Sequence, residues 1–217
     1  MNQTDDLIAS IRAPAFPCVG AKAAVKRGQI LIHEAGLFTA GEDDAETLGV
    51  VRRFVADYRA SPTLFKSLVI RFSGPRDLSE AGFERALWRR LQALHALDGE
   101  PWDARVSNDA DHESFGYSLA GEAFFIIGLH PNAARASRRA PTPTLVFNLH
   151  DQFERLRADG RYDAMRDAIR KRDEAFCGRG NPMLRDFGEA SEARQYSGRD
   201  VPPQWRCPFR AKAGGPR

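Results

Sequence analysis

The spacing of apolar positions changes several times along the chain, and each change marks an element. Residues 3–12 read as a short helix closed by Ala13-Pro14, and residues 21–25 as a second, opened by Pro17 and ended by Gly28. Gln29–His33 reads as a strand. Over residues 43–60, Leu48, Val51, Val55 and Tyr58 fall on one helical face, with Asp43 or Asp44 as the cap and Ser61-Pro62 as the stop. Ser67–Phe72 is strand-like. Residues 80–98 form the clearest helix: Phe83, Leu87, Leu91 and Leu94 make one stripe, and Ser79 is suited to cap it. Leu78 and Phe83 stand at hydrophobic-staple spacing, and Gly99 is the stop. Ala123–Leu129 and Thr144–Leu149 are almost continuously apolar, which predicts central strands covered on both faces. Helices follow at about 151–158 and 161–176, separated by Gly160. From 177 to 217 periodicity is lost, but Phe187, Tyr196, Trp205 and Phe209 predict an irregular wrap anchored on the core. The helices are not spaced as a regular βαβ series. The expectation is one α+β domain over 1–217, with a mostly antiparallel four- or five-stranded sheet packed with helices.

Composition narrows the function less than the fold. Net charge is +3 over 217 residues, so bulk charge does not argue for nucleic acid or a membrane surface as partner. Five of the 32 basic residues are Lys and the other 27 are Arg. Arg is the better residue for bidentate contacts to carboxylates and phosphates, although a codon bias explains such an excess as readily. Cys18, Cys177 and Cys207 are odd in number and widely spaced, and no CxxC pair occurs. With no signal-peptide pattern and no membrane-length apolar run, cytoplasmic residence with reduced thiols is expected.

Candidate chemistry concentrates in two places. The first is the loop 130–143 between the two central strands, too long for a tight hairpin. It opens with His130 and carries Arg135, Arg138 and Arg139, which could converge on an anion. A haem, with one axial imidazole and two propionates, would use all four. A phosphate or carboxylate ligand would use only the arginines. A solvated basic loop is the commoner outcome for such residues. The second is the Arg-rich stretch 179–210, where Arg194, Tyr196 and Arg199 suit a lid over a pocket, or equally a structural wrap. His150 opens a helix, where the dipole favours a neutral imidazole able to act as ligand or base. Cys18 begins a short helix with Lys22 one turn on, a setting that lowers a thiol pKa. A buried small side chain is the plainer reading of it. His95 reads as a semi-buried core histidine. No GxGxxG, P-loop, HExxH or GxSxG is present.

Several segments together resemble the YqcI/YcgG family: Phe16-Pro17-Cys18-Val19-Gly20-Ala21, His130-Pro131 with the arginine loop, and Phe147-Asn148-Leu149-His150-Asp151-Gln152-Phe153-Glu154. In the tail, Asn181-Pro182-Met183-Leu184, Arg194-Gln195-Tyr196-Ser197-Gly198 and Trp205-Arg206-Cys207-Pro208-Phe209 carry the same resemblance. Members of that family bind haem b and hydroxylate guanidine nitrogen. The resemblance therefore implies a haem-dependent N-monooxygenase acting on a guanidine or amine of a small arginine-like metabolite. It implies O₂ as oxidant, a separate electron donor and a homodimer as the assembly to test. Under it, His130 is the axial iron ligand through Nε2, with a carbonyl or carboxylate holding its other nitrogen. Arg135, Arg138 and Arg139 are the propionate partners, helped by Arg194, Tyr196 and Arg199. His150 is the distal polar group or alternative ligand, and Cys18 the thiolate alternative. Glu122, Asp151, Glu189 and Glu192 are the acids available to a guanidinium.

Overall fold

A computed structural model describes residues 3–212, and the side chains from residue 6 onward. It is an α+β fold. Among the described residues, seven α-helices and five strands follow in the order α1 (Gln3–Arg12), α2 (Val19–Lys26), β1 (Ile30–Leu37), α3 (Asp44–Ala60), β2 (Ser67–Gly74), α4 (Glu80–Leu97), β3 (Tyr117–Leu119), β4 (Glu122–Leu129), β5 (Thr144–Leu149), α5 (His150–Ala158), α6 (Tyr162–Cys177) and α7 (Ala193–Tyr196). The one sheet has the order β1-β2-β5-β4-β3. It is antiparallel except for the β1–β2 pair. That pair is parallel because α3 intervenes as a crossover, and a crossover returns the chain in the same direction.

The two long apolar segments lie centrally, as their composition predicts, with Phe124 opposite Leu149 and Leu129 opposite Thr144. One face of the sheet bears the main core: Leu68, Ile70 and Phe72 of β2, Phe124 and Ile126 of β4, and Leu145 and Phe147 of β5. Against it pack Phe54 and Val55 of α3 and Phe83, Leu87, Leu91 and Leu94 of α4. Ser79 caps α4 as expected, its hydroxyl accepting the Gly82 N–H at 3.2 Å. The α3 cap differs. Asp43 stands at the N-cap but makes no side-chain cap bond. Its carboxylate instead accepts the Gly36 N–H at 2.8 Å and pairs with buried Arg90, which also binds Asp44 and the Leu37 carbonyl. A buried guanidinium needs anions more than a helix end needs a cap.

The second face departs from expectation. Only Leu7, Ile11 and Val69 form a buried cluster there. Phe125, Ile127 and Leu129 of β4 and Val146 and Asn148 of β5 point that way and are half-buried. The central strands are thus tightly covered on one face and thinly on the other. Beyond α6 the chain is irregular apart from α7, and its aromatic residues anchor it as predicted: Tyr196 stacks on Trp88 at 5.7 Å, and Phe209 lies 5.6 Å from Tyr117.

Candidate active site

β3 is only three residues long, so β4 extends beyond it with an unpaired edge. Buried carbonyl and N–H groups must find partners, and α7 with the 130–143 loop supplies them. The Tyr196 hydroxyl accepts the Tyr117 N–H at 3.1 Å and reaches the Phe124 carbonyl at 3.1 Å. Tyr117 and Phe124 are opposite residues in the strand register, so the hydroxyl stands in for a ladder bond. Four residues further along β4, Arg138 donates to the Gly128 carbonyl at 3.3 Å and to the carbonyls of Gln195 and Tyr196. Gly128 is required by this close approach. A Cβ there would lie 2.7 Å from the Phe83 ring and 2.9 Å from the Tyr196 carbonyl.

The long loop is therefore not a solvated basic loop. Ala133, Arg135, Arg138, Ala140 and Thr142 are buried in it. Asn132 donates to the Arg76 and Leu78 carbonyls, and the Ala134 N–H reaches Glu80 at 3.0 Å. Arg135 and Arg138 face inward rather than converging on an open anion site. Arg135 pairs with buried Asp173 of α6 and donates to the carbonyls of Arg179 and Gly180. Arg138 is buried with carbonyl partners only, and burial pulls its pKa down to about 10 despite the nearby Asp173. Arg139 ties the loop to itself through the carbonyls of Ala133 and Ala134. In the tail, Arg194 gathers the carbonyls of Val201, Pro202, Pro203 and Trp205, while Arg199 pairs with Glu84 of α4 at 2.8 Å. These two residues clamp the wrap to itself and to α4.

His130 ends β4 on the α4 side. It is 1% exposed, and its ring stacks on Phe83 with centroids 4.3 Å apart. Burial lowers its pKa, so the neutral imidazole is favoured, the form that ligates metals. Nδ1 is buried with no hydrogen-bond partner among the described residues. The carbonyl or carboxylate expected to hold the second nitrogen is thus missing. The donor chemistry at His130 fits an iron ligand. An anionic arm brought to this loop would, however, have to compete with Asp173 and with main-chain carbonyls for Arg135 and Arg138.

Cys18 is the N-cap of α2, its sulfur accepting the Ala21 N–H at 3.3 Å. Its pKa is raised, chiefly by burial, not lowered as its place in the sequence predicts. Lys22 does not offset this, because its ammonium is held by the carbonyls of Ala13 and Pro14. The favoured species is the thiol, a weak nucleophile and iron ligand.

The opposite end of the β4–β5 pair holds the other constellation. His150 is buried, and its Nε2 lies 2.9 Å from Oε2 of buried Glu192. The same Glu192 oxygen is 3.3 Å from the Tyr196 hydroxyl. The imidazole backs onto Gly116, where a Cβ would come within 3.2 Å of it, and Phe187 meets its ring edge at 5.2 Å. The adjacent Asp151 accepts the Tyr58 hydroxyl and pairs with Arg155 at 2.8 Å, with Arg105 3.5 Å away. Of the four acids named from sequence, Glu192 alone contacts a histidine. Glu122 binds Arg59 and Arg105, and Glu189 accepts the Asp186 N–H. The sequence places Tyr58 on an apolar helix face and gives Arg105 no motif; neither points to Asp151, which lies far along the chain from both. His130 and His150 thus lie at opposite ends of one strand pair.

This is an α+β protein with a buried His–Glu pair and a separate buried histidine, on a fold stapled by its own tail. The chain belongs to the YqcI/YcgG family, whose model matches residues 7–210. It is also 25% identical over 163 residues to a Streptomyces lavendulae protein provisionally named N(omega)-hydroxy-L-arginine synthase DcsA. The match takes in 71% of this chain and 61% of that relative's length. No solved structure matches the chain. Among the described residues no helix is long and apolar enough to cross a membrane.

Proposed function

We propose that this protein hydroxylates a guanidine nitrogen of a small arginine-like metabolite, with haem b as cofactor. The similarity to the relative named for N-hydroxy-arginine synthesis carries the reading. The overall change is N–H + O₂ + 2 e⁻ + 2 H⁺ → N–OH + H₂O, and a separate donor supplies the electrons. His130 would hold the iron through Nε2, as a buried imidazole kept neutral by burial, with Nδ1 left unpartnered among the described residues. When bound, haem would supply the oxygen activation that no side chain can. The substrate nitrogen must meet that iron, so the His150–Glu192 pair, at the far end of the strand pair, is not its proton acceptor; with Nε2 held 2.9 Å from Glu192, His150 ties the start of α5 to the start of α7. Glu192 in turn is fixed by the Tyr196 hydroxyl, so the pair sits on the sheet rather than on a mobile loop.

The test begins with a visible spectrum of protein produced with a haem precursor, then reduced under carbon monoxide. A Soret band in the wild type that His130→Ala loses, with an N-hydroxyguanidine formed only with O₂ and reductant, is the expected result. Colour without product leaves a haem-binding protein without turnover. No Soret band even after haemin titration overturns the reading and leaves a colourless anion-binding module.

A further inference from the structure

A cleft of about 320 Å³ opens between the α5–α6 corner and the turn at Asp186-Phe187. Its walls carry Arg157, Tyr162, Asp163, Arg166, Asp186 and Phe187. Phe187 lines this cleft and also contacts the His150 ring, 5.2 Å between centroids. Phe153 lies between the two regions, 6.3 Å from His150 and 6.5 Å from Tyr162.

The charges in the cleft are arranged unequally. Arg166 is saturated: it pairs with Asp163 and Asp186 at 2.9 Å each, and its Nε binds Asp167. Arg170 adds a second hold on Asp186. Arg157 is different. Its guanidinium carbon lies over Tyr162, 4.2 Å from the ring centre, which orients it. Its carboxylate partner is Glu154, one helical turn away with a side chain 53% exposed. Such a surface pair contributes only tenths of a kcal/mol and yields readily to a better-placed anion. Asp163 projects into solvent, 77% exposed, with Arg166 alone steering it. One oriented cation and one oriented anion therefore stand in the same small cleft. That pairing matches a zwitterion.

The geometry points to this cleft as the seat of the α-amino and α-carboxylate groups of a free amino acid. Arg157 takes the carboxylate in a two-pronged contact, and Asp163 takes the ammonium. Arg166 is a positioning residue that aims Asp163. The side chain of the bound amino acid runs along Phe187. Recognition of the head group does not rest on the N-hydroxylation reading. Ligands with the same side chain but no carboxylate are discriminated against, because they leave Arg157 unmatched.

The assay is calorimetric titration, with thermal shift in parallel, using L-arginine, its decarboxylated counterpart agmatine, and L-ornithine. The proteins are wild type, Arg157→Gln and Asp163→Asn. Both substituted side chains sit at the surface, and circular dichroism checks that the variants fold. L-arginine should bind at least about tenfold more tightly than agmatine. Arg157→Gln should erase that preference by weakening L-arginine alone, and Asp163→Asn should weaken both amines. Equal affinity for L-arginine and agmatine in the wild type, unchanged L-arginine binding in Arg157→Gln, or no binding of any amino acid overturns the subsite. Arg157-dependent binding of L-ornithine or L-arginine without any N-hydroxylated product keeps the subsite and sinks the oxygenase reading. Hydroxylation of L-arginine that is indifferent to both substitutions does the reverse.

Discussion

Replacing Tyr196 by Phe removes one oxygen from the centre of the fold and leaves no cavity larger than that atom. The hydroxyl bridges the Tyr117 N–H and the Phe124 carbonyl, and it also touches Glu192. Tyr117 is fully buried, so its N–H has no water to turn to. An unsatisfied buried donor costs about 1–3 kcal/mol, and the lost bond to the carbonyl or carboxylate adds about 1 kcal/mol. Together they predict a loss of about 2–4 kcal/mol. For a chain of this size that lowers the melting temperature by about 10 °C. In urea the midpoint should fall by about 1 M or more with an unchanged slope, since the same surface is exposed on unfolding. A stability change under about 0.5 kcal/mol, the range of a surface substitution, would refute the reasoning. The β3–β4 pair would then close by itself once the hydroxyl is gone.

Two further outcomes follow from buried charge. Asp173→Asn removes the carboxylate that pairs with Arg135 and lies near Arg138, and should cost about 3–5 kcal/mol in urea unfolding. His95 accepts the Lys212 N–H at 2.9 Å, and burial, then Lys212, lower its pKa. The unfolded chain therefore binds its proton more readily than the native one. The stability this interaction contributes is full above the ordinary histidine range and falls as pH drops through it. Unfolding measured from pH 8 to pH 5 should show that loss, and His95→Gln should flatten it.

Local physics was legible where one residue type decides one element. The stripe of Phe83, Leu87, Leu91 and Leu94, the Ser79 cap and the apolar runs of β4 and β5 predict elements that the structure contains. A helical period or an unbroken apolar run has few other uses. β3 and α7 were not legible: at three and four residues they are too short to show a period, and pairing with β4 makes them. The α3 cap, the Cys18 thiol and the arginine loop misled for a shared reason. Sequence neighbours alone predict one behaviour for each, whereas burial and distant partners set its charge state.

By itself the sequence determined the longer elements, the fold class, and which histidines and arginines sit at their ends, because those depend on contacts a few residues long. Only the tertiary structure decided which carboxylate each cation meets. It alone leaves His130 with an unpartnered nitrogen and joins His150 to Glu192 across 42 residues. It turns Arg135 and Arg138 inward and leaves the second sheet face thinly covered. The reason is that a buried charge or unpaired carbonyl costs more than any local preference supplies, so polar side chains go wherever the packed fold leaves such a group unmet.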